Sequence, residues 1–171
     1  MSWTELLTRE IEYNYAVADK LMDLVDDGKL GWKPSTGTNW MTTGQVLMHT
    51  ATACGPVFKG FITGDWGMPE GVEMSPEDML PPAEKMPTVK SVAEAKKLLA
   101  EDKKLAFDML KNVSENDLAH LKAPAPWEPS EKLLGHRLLE MVGHLAQHKG
   151  QLYYYLKLQG KPVNTGHLWG M

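Results

Sequence analysis

The sequence predicts an all-α fold, a four-helix bundle with long crossover connections. Three observations carry this. Four segments repeat their apolar residues at spacings of three and four, the period of a helix buried on one face. No segment alternates with the period of two expected of a half-buried strand. Helix start and stop residues bracket the periodic segments. The chain has 171 residues, 43% apolar and 23% charged, an ordinary globular balance that excludes a collagen, a rod or a mostly disordered chain. Its length suits one domain over residues 1–171, with a C-terminal tail from about 161.

The first segment runs from about Trp3 to Val25, with Leu7, Ile11, Asn14, Ala18, Leu21 and Val25 on one face and Gly28 just past its end. The second begins near Thr42, where Thr42 and Gln45 have capping-box spacing. Val46, His49, Ala53 and Val57 form its inner stripe. Gly55-Pro56 should kink or end this helix, because proline donates no hydrogen bond and clashes with the preceding turn. The third begins at Ser91, with Glu94 three residues on, and places Ala95, Leu98, Asp102, Leu105, Met109 and Val113 inward. Its lysines alternate with acids, the pattern of a solvated face. The fourth runs from about Ser130 to Gln159, with Leu134, Leu138, Met141, Leu145, His148, Leu152 and Tyr155 inward, and stops at Gly160 and Pro162. The connections at 59–89 and 114–129 are proline-rich and long enough to shape a pocket.

Several functions are disfavoured by composition. A single cysteine, Cys54, allows neither an intramolecular disulfide nor a cysteine-rich zinc site. A net charge of −4 gives no general attraction to nucleic acid or to an anionic membrane. The N-terminus has no basic region followed by an apolar block, and no stretch is apolar enough to span a bilayer, so a cytoplasmic protein without nucleic-acid or membrane partners is expected.

Six histidines are present, and three share a pattern. His144 and His148 are four apart on one helix and so are neighbours on its surface. His148 lies on the inner seam, His144 beside it, and His49 on the inner stripe of the second helix. Burying an imidazole without a partner is costly. Either one metal ion satisfies all three, or each finds its own hydrogen bond. Three imidazoles with open positions match a catalytic rather than a closed structural metal site. Glu140, Arg137 and Gln151 border the same face, with Glu140 placed to orient His144. Asp102 interrupts an apolar stripe, where it faces the site or sits at the bundle edge. Cys54 points away as a buried inert thiol. His136 is outward, His120 is in a loop and His167 is in the tail.

The sequence resembles the DinB family, which includes the YfiT-like metal-dependent hydrolases. The resemblance rests on Tyr13-Asn14-Tyr15 with Leu21 and Leu24, on Trp40 followed by Thr42 to His49, and on His144-Leu145-Ala146-Gln147-His148-Lys149-Gly150-Gln151, similar to the family's H-x-x-x-H-[RK]-G-Q signature. Leu156 to Pro162 resembles the close of the last helix. The resemblance covers nearly the whole chain except the 59–89 loop and the tail. It implies a four-helix bundle holding a divalent metal, zinc or nickel, on His49, His144 and His148. It also implies a homodimer formed through helix faces. Activated water or a low-molecular-weight thiol would be the nucleophile. The expected activity is thiol-dependent S-transfer or hydrolysis on a small molecule, with no catalytic residue assigned outside the metal ligands. A non-enzymatic metal-binding or stress-response protein, or a metal-free bundle, stays open.

Overall fold

The structure is a computed structural model and describes residues 1–67 and 81–171. It is all-α, and no strand occurs among the described residues. Helix α1 spans Trp3–Met22. Ser2 caps it: the Ser2 hydroxyl accepts from the Glu5 amide (3.1 Å) while the Glu5 carboxylate accepts from the Ser2 amide (2.9 Å). The inner face is the expected one, with Leu7, Ile11, Asn14, Ala18 and Leu21 buried. Val25 falls beyond the helix end and is only half-buried.

Helix α2 is Thr43–Ala51, started by the Thr42–Gln45 capping box. Its continuation breaks over residues 52–54 and restarts as α3, Gly55–Thr63, with Pro56 in the first turn. The expected kink is therefore a full break. The new helix start is served by Asp102, whose carboxylate accepts from the amides of Cys54 (3.1 Å) and Gly55 (2.9 Å) and from the hydroxyl of Tyr15 (2.5 Å). A carboxylate at free N–H groups complements the positive end of a helix. Gly55 is needed for the approach: a Cβ there would lie 2.8 Å from the Asp102 carbonyl oxygen.

Helix α4, Val92–Leu110, starts at Ser91, which accepts from the Glu94 amide. Glu94 turns to the Lys90 amide instead of closing the box. The buried face is Ala95, Leu99, Asp102, Ala106 and Leu110: Ala95 and Asp102 are as expected, while Leu99, Ala106 and Leu110 take the places expected of Leu98, Leu105 and Met109. Leu98, Leu105 and Met109 flank it, and Val113 lies beyond the helix. Small residues face inward because α3 presses close to this helix, with the Leu105 Cβ 3.1 Å from where a Gly55 side chain would begin. The outward lysines pair with acids as expected, among them Lys104 and Lys111 with Asp108.

The 114–129 connection contains a short helix α5, Glu115–His120. Helix α6 is Leu134–Leu158 and starts four residues later than expected. Residues 121–133 double back instead: the Ala123 amide donates to the Lys132 carbonyl and the Leu134 amide to the Leu121 carbonyl. The Arg137 side chain, 2% exposed, holds this return by donating to the carbonyls of Ala123, Glu128 and Ser130. The tail forms a last short helix, α7, Thr165–Trp169, against α1.

Helix α1 packs on α4 and α6, while α2 and α3 lie against both α4 and α6. Their inner faces form one hydrophobic cluster. Each buried Leu, Ile or Phe in it contributes about 1.5–3 kcal/mol. One polar strut crosses it: Lys149 donates to Asn14 Oδ1 (3.0 Å) and lies over the Tyr13 ring, tying α6 to α1 one residue after His148.

Asp102→Ala removes the acceptor of three buried donors. Its expected cost is about 3 kcal/mol, since each stranded group costs roughly 1–3 kcal/mol. For a chain of this size that lowers Tm by roughly 6–12 °C in thermal unfolding. A loss below about 1 kcal/mol would contradict the role given to Asp102.

Candidate metal centre

The break between α2 and α3 and the long helix α6 bring three histidines together. His49 sits in the last turn of α2, and His144 and His148 are one turn apart in the middle of α6. One ring nitrogen from each lies within 4.8 Å of the other two. His144 Nε2 is 3.1 Å from His49 Nε2 and 2.9 Å from His148 Nε2. The rings meet edge to face, with centroids 4.2–5.0 Å apart. All three are half-buried.

The far side of one of these rings is held. His148 Nδ1 lies 2.9 Å from Gln151 Oε1, which can only accept, so Nδ1 carries the proton and Nε2 presents its lone pair. His144 Nε2 is turned toward both other histidines. Burial and the neighbouring imidazoles hold His49 down to about 4; His144 is lowered by burial and by His148, and His148 by burial. The rings are therefore neutral at pH 7, and the His148 Nε2 lone pair, 2.9 Å from His144 Nε2, is met either by a proton on that nitrogen or by a cation held between the rings.

The donor set suits one. Two imidazole nitrogens at about 2.0–2.1 Å from one ion stand about 2.8–3.4 Å apart at right to tetrahedral angles. The observed 2.9 and 3.1 Å lie at the near end of that span. Three nitrogens on one side leave the remaining positions of an ion open. A cleft of about 690 Å³ adjoins the triad and is lined by His49 and His144 together with Val57, Met141 and Trp127.

The other sequence candidates go elsewhere. Glu140 does not orient His144; it pairs with Lys132 (2.7 Å) and Arg137 (3.3 Å), because the buried guanidinium one turn away needs its charge. Arg137 borders the cleft, but its donors are spent on the 121–133 return. Asp102 is neither at the site nor at the bundle edge: it is 5% exposed and serves the break that carries Ala53. Cys54 is buried, donates to the Met141 carbonyl, and has its thiol pushed up by burial and by Asp102. His136 is exposed, His120 ends α5, and His167 stays with Asn164 in the tail helix. Sequence reasoning missed Trp127. Its only signal was a large apolar residue between Pro126 and Pro129 in a loop. The part of the 59–89 loop at 68–80 lies outside the described residues.

No helix among the described residues is long and apolar enough to cross a membrane. No curated protein and no solved structure matches this chain. The family model described as the DinB superfamily matches residues 10–152, a span that contains all three histidines and the long helices except the start of α1 and the end of α6. The chain belongs to the DinB superfamily.

Proposed function

We propose that this protein is a divalent-metal-dependent enzyme acting on a small molecule, by thiol-dependent S-transfer or by hydrolysis. The observation that carries the reading is the convergence of three neutral imidazoles, each with a ring nitrogen within 4.8 Å of the other two, beside an open cleft. His49, His144 and His148 would hold the ion, and zinc and nickel both suit imidazole. When bound, the ion would supply Lewis acidity at neutral pH to a water or a low-molecular-weight thiol.

The protein's own residues have separable tasks. Gln151 holds His148 in the tautomer that ligates. Trp127, Val57 and Met141 give the cleft an apolar lining that excludes water from the neighbourhood of the triad. Cys54 contributes no nucleophile, since its raised pKa keeps it a thiol and its hydrogen is given to a backbone carbonyl.

The protein purified without a tag should carry close to one divalent ion per chain by mass spectrometry. Its turnover of an electrophile with a supplied thiol, or of a hydrolysable ester, should fall with chelator and return with zinc or nickel. His148→Ala should lose both the ion and the activity. A chain that neither carries nor takes up an ion sinks the proposal, and a chain that takes up metal but turns over neither class leaves only a metal-binding protein.

Gln151→Ala should weaken metal binding about 10–100-fold, the usual cost of losing a residue that orients a ligand. Gln151→Glu keeps an acceptor for His148 Nδ1 and should stay close to the parent. Competition with a chromophoric chelator measures both, and equal affinities for the parent and the Ala variant would contradict the orienting role.

A further inference from the structure

Within the reading of the triad as the reactive end of the cleft, the remaining walls say what kind of molecule enters. One wall carries four charged residues, Glu128, Lys132, Arg137 and Glu140. None of the charge is free. The Arg137 Nε–H donates to the Ala123 carbonyl (2.9 Å), Nη1 to Glu128 (2.6 Å) and Glu140 (3.3 Å), and Nη2 to the Glu128 and Ser130 carbonyls (3.1 and 2.8 Å). These use all five donors of a guanidinium. Lys132 lies between the same carboxylates, 2.7 Å from Glu140 and 3.1 Å from Glu128. Hydrogen bonds from Ser130, Arg137 and Lys132 hold Glu128 down to about 2, so it stays ionised and the wall stays neutral. Lys59, on the helix carrying Val57, is paired with Asp65 at 2.5 Å.

The opposite character comes from an aromatic cluster. Trp127 packs edge to face on Trp66 (centroids 5.6 Å apart) and Phe61 (6.0 Å), and those two pack on each other at 5.0 Å. The cluster is built in: a Cβ at Gly60 would lie 2.2 Å from the Trp66 ring, so only glycine admits it. Phe61 is buried, while Trp127 is 43% exposed and lines the cleft with Val57 and Met141.

We propose that the cleft takes a small molecule with an uncharged aromatic or flat apolar body, seated against Trp127, and rejects bodies that carry a phosphate or similar anion. An apolar body gains burial and an aromatic contact there. A phosphate carried on the body, rather than presented to the triad, sheds water and meets on the charged wall only cations already paired with carboxylates. Trp127 sets the preference for the body, and the self-neutralised wall sets the preference against charge.

The test uses the full chain stripped of metal, with 2-naphthylmethanol and 2-naphthylmethyl phosphate as matched probes at pH 8. Binding is followed by isothermal titration calorimetry, which reads the parent and every variant alike. The alcohol should bind at least about tenfold tighter than the phosphate ester, and Trp127→Ala should weaken the alcohol by about tenfold. Glu140→Gln, which releases one of the carboxylates from Lys132, should narrow the gap between the probes by strengthening the ester. An ester that binds the parent as tightly as the alcohol, an alcohol that does not bind, or an alcohol indifferent to Trp127→Ala would overturn the proposal. Because no metal is present, failure here leaves the metal stoichiometry of the triad standing, and loss of the metal reading leaves this result standing.

Discussion

The rest of the structure depends on one buried carboxylate. A helix running unbroken from Thr42 through Val57 would carry its residues past α6 in a single straight line. The chain instead stops at Ala51 and starts again at Gly55, and Asp102 makes that possible by accepting from Cys54, Gly55 and Tyr15 at once. Burial raises the pKa of Asp102 above its ordinary value, and its three donors offset only part of that rise. Helix α3, started afresh beyond the break, brings Val57 to the cleft and Phe61 to the aromatic cluster.

The histidine cluster is a deliberate frustration of the kind that functional sites retain. A core optimised for stability would not bring three imidazoles within hydrogen-bonding distance of one another, nor fix the His148 ring through Gln151. The charged residues beside them show the opposite tendency. Arg137 and Lys132 pair with Glu128 and Glu140, and Arg137 spends its donors on closing the 121–133 return. The neighbouring sets differ in what they leave open: the imidazoles turn ring nitrogens toward a common point, and the charged wall is paired within itself.

Much of this was legible in the sequence because it is written in local spacing. The Thr42–Gln45 box, the inner face of α1, the stop at Gly160 and the i,i+4 pair His144–His148 all depend on residues within a turn or two of each other. His49 could be joined to that pair because its own helix has a readable inward face. What was not legible depends on long-range geometry. The inner face of α4 takes Leu99, Ala106 and Leu110 in place of Leu98, Leu105 and Met109 because α3 presses on it, which no periodicity in α4 records. The late start of α6 follows from Arg137 holding carbonyls 7–14 residues upstream. Glu140 has the right spacing to orient His144, but a buried guanidinium at i−3 outcompetes an imidazole for it. Trp127 joins the cleft only through contacts with Phe61 and Trp66, some sixty residues away in sequence.

The central claim is that the three imidazoles form one ligand set. X-ray absorption of the protein loaded with a single equivalent of zinc tests it most directly. The account predicts a first shell with three imidazole nitrogens at about 2.0–2.1 Å, reduced to two in His49→Ala. A shell with one imidazole or none, or a spectrum that is the same in His49→Ala, would contradict it.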